Sequence, residues 1–369
     1  IASRRTPSQP AWLWRGSPKV RSSSDSNAFF SSCGGLRSKI KIIEHDYRGG
    51  DFKLSYCPQW NFDGSSTNQS QTDKSDILLI PVRLYANPFI KSTDMLETYL
   101  VLCECYNKDG SPHKSNSRIK LVDTCLKCDY QEPWFGIEQE YVLVELDKQT
   151  NNFKLYNWAT LNNPGIGGQG PYYCGVGGDR CFGREITLKH LEYCLEAGLK
   201  ICGTNGEVMA SQWEYQIGPL NPVELSDQLW ISRYILGRTC EQFNCAYTLH
   251  PKPKSDGDWN GSGGHTNFST KSMREVGGLE NIIVACEKLA LTHQAHMEVY
   301  GKDNDKRLTG IHETAPLNKF SWGVGTRNTS IRIGNLTAKD GKGYFEDRRP
   351  ASNIDPPGQF LAEFRLTFQ

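Results

Sequence analysis

The 369-residue chain has no apolar run of membrane-spanning length; the longest, around Ile77 to Val82, suits a single strand. Neither sign of charge dominates. Lys and Arg number 42, Asp and Glu 41, and the net charge of +1 gives no reason to expect a nucleic-acid or membrane partner. There is no internal repeat, and no evenly paired cysteine framework. The 13 cysteines are odd in number and scattered, which argues for reduced thiols inside a cell. Cys125-x-x-Cys128, with Cys103 and Cys105 upstream, has loose zinc-like spacing. It lacks a second tight pair, so core or surface thiols are the better account. What the chain does have is 37% hydrophobic and 22% charged residues. That suits an ordinary globular protein with a small domain and a larger one.

Residues Ile1 to Ser24 contain Arg4, Arg5, Arg15, Lys19 and Arg21, no acid, and many Ser and Pro. This composition is like a mitochondrial transit peptide, although Pro10 and Pro18 hinder an amphipathic helix. An unstructured tail, or sequence foreign to the fold, fits equally well. Leu36 to Ile43 reads as a strand and Gly49-Gly50 as a turn. Tyr56 to Thr67 is a turn-rich loop carrying Asp63; Ile77 to Leu84 and Leu100 to Cys105 are further strands. Residues 36–110 therefore form a small, mostly β domain. Beyond it, apolar residues recur at helical spacing over Thr187 to Leu199, Glu224 to Phe243 and Leu279 to Tyr300. Strands are expected over Gly206 to Gly218 and Thr329 to Ile333. The class is α+β, with an antiparallel sheet backed by helices in residues 111–369.

Trp134 to Tyr141 reads W-F-G-I-E-Q-E-Y. A strand sends residues i and i+2 to one face, so Glu138 and Glu140 point together while Ile137, Gln139 and Tyr141 pack behind them. Two adjacent carboxylates off an apolar strand need a cation between them; a solvated strand face is the bland alternative. Other residues fit the same cation. Glu207 and Glu214 punctuate the apolar stretch Thr204 to Gly218, and Glu346 sits beside Tyr344 and Phe345. His265 follows N-G-S-G-G, whose glycines let backbone approach a ligand closely. Carboxylates with one imidazole suit Mg²⁺ or Mn²⁺ better than zinc or copper, and such Mg²⁺ typically meets nucleotide phosphates. On the basic side, Arg307, Arg327, Arg332, Arg348 and Arg349 fall in the last quarter. Each wants a phosphate or carboxylate partner, or a structural salt bridge to one of the glutamates. Acidic ligands facing a basic cluster suggest metal-assisted phosphoryl transfer.

With these residues in view, the chain resembles the glutamine synthetases of the eukaryotic type. The resemblance rests on W-N-F-D-G-S-S-T from Trp60, W-F-G-I-E-Q-E-Y from Trp134 and G-P-Y-Y-C-G-V-G from Gly170. It continues through G-T-N-G-E-V-M-A-S-Q-W-E-Y-Q-I-G-P from Gly203 and N-G-S-G-G-H-T-N-F-S-T from Asn260. R-L-T-G-I-H-E-T from Arg307, R-N-T-S-I-R-I from Arg327 and Y-F-E-D-R-R-P from Tyr344 complete it, across about residues 36–355. The resemblance implies a small N-terminal β-grasp domain and a larger catalytic domain. It implies that ATP phosphorylates the glutamate side chain and that ammonia displaces phosphate from the acyl phosphate. Two or three Mg²⁺ or Mn²⁺ ions per site are implied. Their ligands would be Glu138, Glu140, Glu207, Glu214, His265 and Glu346. Asp63 would take a proton from ammonium, Glu313 would close over the intermediate, and Arg327 and Arg332 would neutralise the transferring phosphoryl group. Arg307, Arg348, Asn260 and Gly261 would bind glutamate; Asn267, Ser269, Arg332 and Tyr344 would bind the nucleotide. A homo-oligomer of two stacked pentamers is implied, with Asp63 serving a neighbour's site. A cytoplasmic location is expected, or a mitochondrial one if the basic N-terminus is a transit peptide.

Two stretches depart from the family. Residues 1–35 match nothing expected, so the first helix and strand appear as lost or replaced, and Pro357 to Gln369 stands where a terminal helix belongs. Two readings compete with an active ligase: a non-catalytic relative keeping the fold and oligomer, and a ligase for another amine. The retained glutamates and Asp63 favour the ammonia ligase.

Overall fold

The computed structural model describes residues 6–15, 35–45, 52–93, 96–147, 152–157, 170–255 and 258–368. A first sheet holds β1 (Thr6–Arg15), β2 (Leu36–Ile40), β3 (Ile43–His45), β4 (Trp60–Asp63), β5 (Asp76–Ala86) and β6 (Glu97–Tyr106). Its order is β2-β1-β6-β5-β4, with β3 also pairing β1. The strand expected over residues 36–43 is broken at Lys41 and Ile42, because β2 and β3 pair with different parts of β1.

Within the unmatched stretch expected over residues 1–35, Thr6–Arg15 form strand β1. It runs parallel to β6 and antiparallel to β2. Leu13 is fully buried beside Leu100 and Leu102. In the sequence, the arginines and prolines of this segment outweigh its short A-W-L-W run; in the fold, that run fills the slot next to β6. The rest of the transit-like stretch lies outside the described residues.

The second sheet holds β7 (Trp134–Asp147), β8 (Asn152–Leu155), β9 (Ile201–Gly206), β10 (Gln212–Leu220), β11 (Ala246–Thr248), β12 (Gly264–Ser269), β13 (Trp322–Val324), β14 (Ile331–Ile333) and β15 (Phe345–Asp347). The order is β13-β14-β15-β12-β7-β10-β9, antiparallel except for β13 with β14. The strand expected over Gly206 to Gly218 begins only at Gln212; Val208 to Ser211 turn the chain from β9, with Ser211 at φ 61°.

The helices are α1 (Arg118–Cys128), α2 (Arg184–Glu196), α3 (Pro222–Gln242), α4 (Lys271–Arg274), α5 (Gly278–Leu291), α6 (His293–Met297), α7 (Asn335–Asp340) and α8 (Pro356–Phe368). Asn221 caps α3 by accepting from the Glu224 N–H (3.0 Å), and Pro222 occupies the first turn, where its missing N–H costs nothing. The helix expected over Leu279 to Tyr300 is two pieces, broken at Thr292. Helix α8 corrects the expectation that the terminal helix is replaced. Phe360 and Phe364, one turn apart, place their rings 4.7 and 6.5 Å from that of Phe135, and all three are buried.

The first sheet rests on α2 and α3 through Leu13, Leu100, Leu102, Cys194, Leu199, Ile231 and Ile235. Beside that seam, buried Asp227 of α3 accepts from Arg118 Nε (2.7 Å) and Nη2 (2.8 Å) and from Arg83 Nε (3.1 Å). Arg118 also reaches Glu104 (2.8 Å), so charges from β5, β6, α1 and α3 form one network through Arg118 and Asp227. All described cysteines are free thiols, and Cys125 and Cys128 pack against the core from α1. Among the described residues, no helix is long and apolar enough to cross a membrane.

Candidate active site

Strand β7 is buried on one face and chemical on the other. Ile137, Gln139 and Tyr141 are at most 1% exposed. Gln139 is gripped from behind by Arg233 of α3, whose Nε (2.9 Å) and Nη2 (2.6 Å) both donate to its Oε1. That pin fixes the roll of the strand. Glu138 and Glu140 therefore turn together into a cavity of about 540 Å³.

Neighbouring strands bring the other ligand types to them by register. His265 pairs with Glu138, Glu214 with Glu140, and Arg332 with Glu346. One ligand atom from each of Glu138, His265 and Glu346 lies within 4.8 Å of the others, the one such cluster among the described residues. His265 Nδ1 is 3.5 Å from both carboxylates. Burial, and then the Arg348 charge, hold His265 well below its usual pKa, so it is a neutral imidazole able to ligate.

Glu140, Glu207 and Glu214 make a second acidic group. Burial above all, then repulsion from neighbouring glutamates, pushes each up to about 8. Their hydrogen-bond partners are neutral. Gln212 Nε2 donates to Glu140 Oε2 (2.9 Å), Asn205 Nδ2 to Glu207 Oε1 (3.0 Å), and Gln216 Nε2 to Glu214. Asn267 Nδ2 donates likewise to Glu138 Oε1 (2.9 Å). Amides orient these carboxyl groups and leave the charge of their ionised form uncancelled. That charge is what a divalent cation needs, so the donor set fits one. Glu346 differs: Arg332 Nη1 (2.9 Å) and Arg348 Nη1 both donate to it.

The glycines before His265 are required. A Cβ on Gly263 would lie 2.5 Å from His265 Nε2 and 2.8 Å from Arg307 Nη2, and the Gly263 N–H donates to Glu140 (3.0 Å). The same cavity is lined by Arg307, Arg327, Arg332 and Arg348. Arg307 is buried, donating to His265 Nε2 (3.1 Å) and to the Arg348 carbonyl (2.8 Å). The Nε of Arg332 is buried without a hydrogen-bond partner, a donor waiting for an acceptor. Glu313 arrives on a loop whose His312 and Glu313 both hold left-handed backbone (φ 55° and 60°), and its carboxylate is 3.9 Å from Arg348.

A second cavity of about 390 Å³ adjoins the first, with Gln216 lining both. It is mainly apolar and contains Asn267, Ser269 and Tyr344. Arg332, grouped with these by the resemblance, lines the first cavity instead. The sequence reading missed Trp134 and Arg274, which form one wall: the guanidinium lies 3.9 Å over the indole. It also missed Gln212 and Gln216. Their signal is visible in Q-W-E-Y-Q, where both lie two residues from Glu214 and so on its face.

Asp63 lies apart. It ends β4 on the other sheet and lines neither cavity. Hydrogen bonds from Ser66 and Ser65 hold its pKa below the usual carboxylate value, so it is an exposed anion.

Residues 119–298 match the family model described as glutamine synthetase, catalytic domain. A glutamine synthetase of Fusarium solani subsp. phaseoli is 49% identical over 329 residues, 88% of this chain and 87% of that one. The glutamine synthetase cytosolic isozyme 1-1 of Oryza sativa subsp. japonica is 48% identical over 323 residues, 87% and 86% of the two chains. The cryoEM structure of Plasmodium falciparum glutamine synthetase superposes with a TM-score of 0.72 at 17% identity, covering 98% of this chain and 71% of that one, a likeness of fold.

Proposed function

The chain belongs to the glutamine synthetase family, and from that premise we propose how its two adjoining cavities make glutamine from glutamate, ammonia and ATP. The observation that carries the reading is the polar cavity itself, where buried carboxylates, a neutral imidazole and facing guanidinium groups converge. Glu138, His265 and Glu346 would hold one divalent cation, and Glu140, Glu207 and Glu214, with Glu138 at the boundary, another one or two. Bound there, Mg²⁺ or Mn²⁺ supplies charge neutralisation for phosphate oxygens.

The apolar second cavity suits a nucleotide base, with the Trp134 indole and Arg274 as one wall, and Asn267, Ser269 and Tyr344 as polar contacts. Its junction with the first cavity at Gln216 directs the phosphates toward the acidic centre. Arg332 and Arg327 then face the phosphoryl group in flight, and the unpartnered Arg332 Nε is a ready donor for it. Asn260, Gly261, Arg307 and Arg348 border the place left for glutamate. Attack of its side-chain carboxylate on the terminal phosphorus gives an acyl phosphate and ADP. Glu313 covers that intermediate and limits hydrolysis.

Ammonium is no nucleophile until it loses a proton. Asp63 is the group for that step, an ionised carboxylate whose place outside its own chain's cavities fits service to an adjacent subunit. We therefore favour a homo-oligomer, two stacked pentameric rings, in which a first domain of β-grasp type presents Asp63 across the boundary. A cytoplasmic location follows the cytosolic relative.

The test is stoichiometric. Purified protein with Mg²⁺ and ATP should release phosphate only when both glutamate and ammonium are present, one phosphate per glutamine. Asp63→Ala should raise the ammonium requirement about 100-fold or more while leaving ATP binding intact. Phosphate release indifferent to ammonium would overturn the reading.

A further inference from the structure

Gln212 opens β10 and is 2% exposed. Its single amide nitrogen serves three acceptors: Glu140 Oε2 and the Gly261 carbonyl, each at 2.9 Å, and Ser262 Oγ at 3.3 Å. Its oxygen accepts from the Met209 N–H (3.2 Å), which fixes the side chain from behind. The two 2.9 Å partners belong to different parts of the site. Glu140 is in the acidic group, whereas Gly261 is in the loop assigned to glutamate. The loop has little room to move independently. A Cβ on Gly261 would lie 2.5 Å from the Pro251 carbonyl and 2.7 Å from Arg307 Cγ. On its far side the loop closes back on Glu140, whose backbone N–H donates to the Gly263 carbonyl (3.1 Å).

Side chains of similar length do not do the same job. A lysine would neutralise Glu140, a glutamate would add repulsion, and a methionine would orphan two buried acceptors.

We infer that Gln212 is a positioning residue that couples cation binding at Glu140 to glutamate binding at Gly261 through one neutral amide. This rests on the ligase reading above. When Glu140 ligates a cation its carboxylate would adjust, and the Gln212 amide that holds it would carry the adjustment to the Gly261 carbonyl. The coupling is reciprocal, so glutamate tightens the cation by the same factor that the cation tightens glutamate.

The experiment measures Mn²⁺ affinity by electron paramagnetic resonance, with and without glutamate, on the intact protein. Wild type should bind Mn²⁺ more tightly when glutamate is present. Gln212→Met should weaken Mn²⁺ by about 10- to 100-fold and abolish the glutamate effect. Its KM for glutamate should rise while that for ATP stays within about twofold. Gln212→Glu, of the same shape, should also lose the coupling, so folding of either variant suffices. A merely structural residue would lower thermal stability and leave the glutamate effect on Mn²⁺ in place; that result overturns the inference. So does wild type whose Mn²⁺ affinity ignores glutamate, with no variant needed. Wild type that makes no glutamine overturns the ligase reading instead.

Discussion

Adding a divalent cation to the metal-free protein should expel protons. Glu140, Glu207 and Glu214 are each pushed from 4.5 up to about 8, by burial first and by neighbouring glutamates second. A carboxyl group at that value is roughly 90% protonated at pH 7. The three titrate as a set, so the protons belong to the cluster, which holds between about two and three of a possible three. A cation binds the ionised form, and those protons must leave. Isothermal titration of Mg²⁺ in two buffers of different ionisation enthalpy reads the number directly. About two to three protons per chain are expected at pH 7, falling toward none above pH 9. The same shift sets the pH dependence of stability. Between the unfolded value and about 8 the folded state holds more protons than the unfolded, so metal-free protein loses stability as pH rises through that window. Saturating Mg²⁺ should flatten the slope. Binding heats identical in both buffers at pH 7 would refute the reasoning, because the carboxylates would already be ionised and something other than their burial and crowding would have to hold them.

Two further outcomes follow from contacts away from the acidic centre. Asp227→Ala strips two arginines of a buried partner and should cost about 3–5 kcal/mol, seen as an earlier urea midpoint, with Asp227→Asn losing less; an unchanged midpoint would mean that the cluster joining the first sheet to α1 and α3 carries no net stability. Arg274→Ala removes the cation stacked on Trp134 and should weaken ATP by about 1 kcal/mol, or roughly fivefold, leaving the KM for glutamate unmoved, as steady-state kinetics would show.

The sequence told most where local pattern and chemistry agreed. Glu138 and Glu140 share a face because strand geometry leaves no choice, and the structure confirms the packed face behind them. Arg332 and Glu346 could be named as a basic and an acidic residue, but their pairing follows from β14 lying beside β15, a long-range register with no local signature. Leu13 shows the opposite limit. Its segment reads as solvent-loving by composition, and only the slot beside β6 makes it a strand. Helix α8 was hidden by its opening Pro-Pro-Gly, residues that suit a first turn as well as a loop. The wall formed by Trp134 and Arg274 joins residues 140 positions apart, so no spacing rule could have found it. Glu207, Glu214 and His265 were legible because a charge or imidazole beside apolar residues or close-packed glycines demands a partner.

Strand β1 sits between neighbours on both sides, with β6 along one flank and β2 and β3 along the other. Trimming the first fifteen residues as a dispensable leader, a natural step in designing an expression plasmid, would bare the β6 edge and leave β2 and β3 with nothing to zip onto. A chain so shortened should accumulate in inclusion bodies even though every side chain of its chemistry is intact.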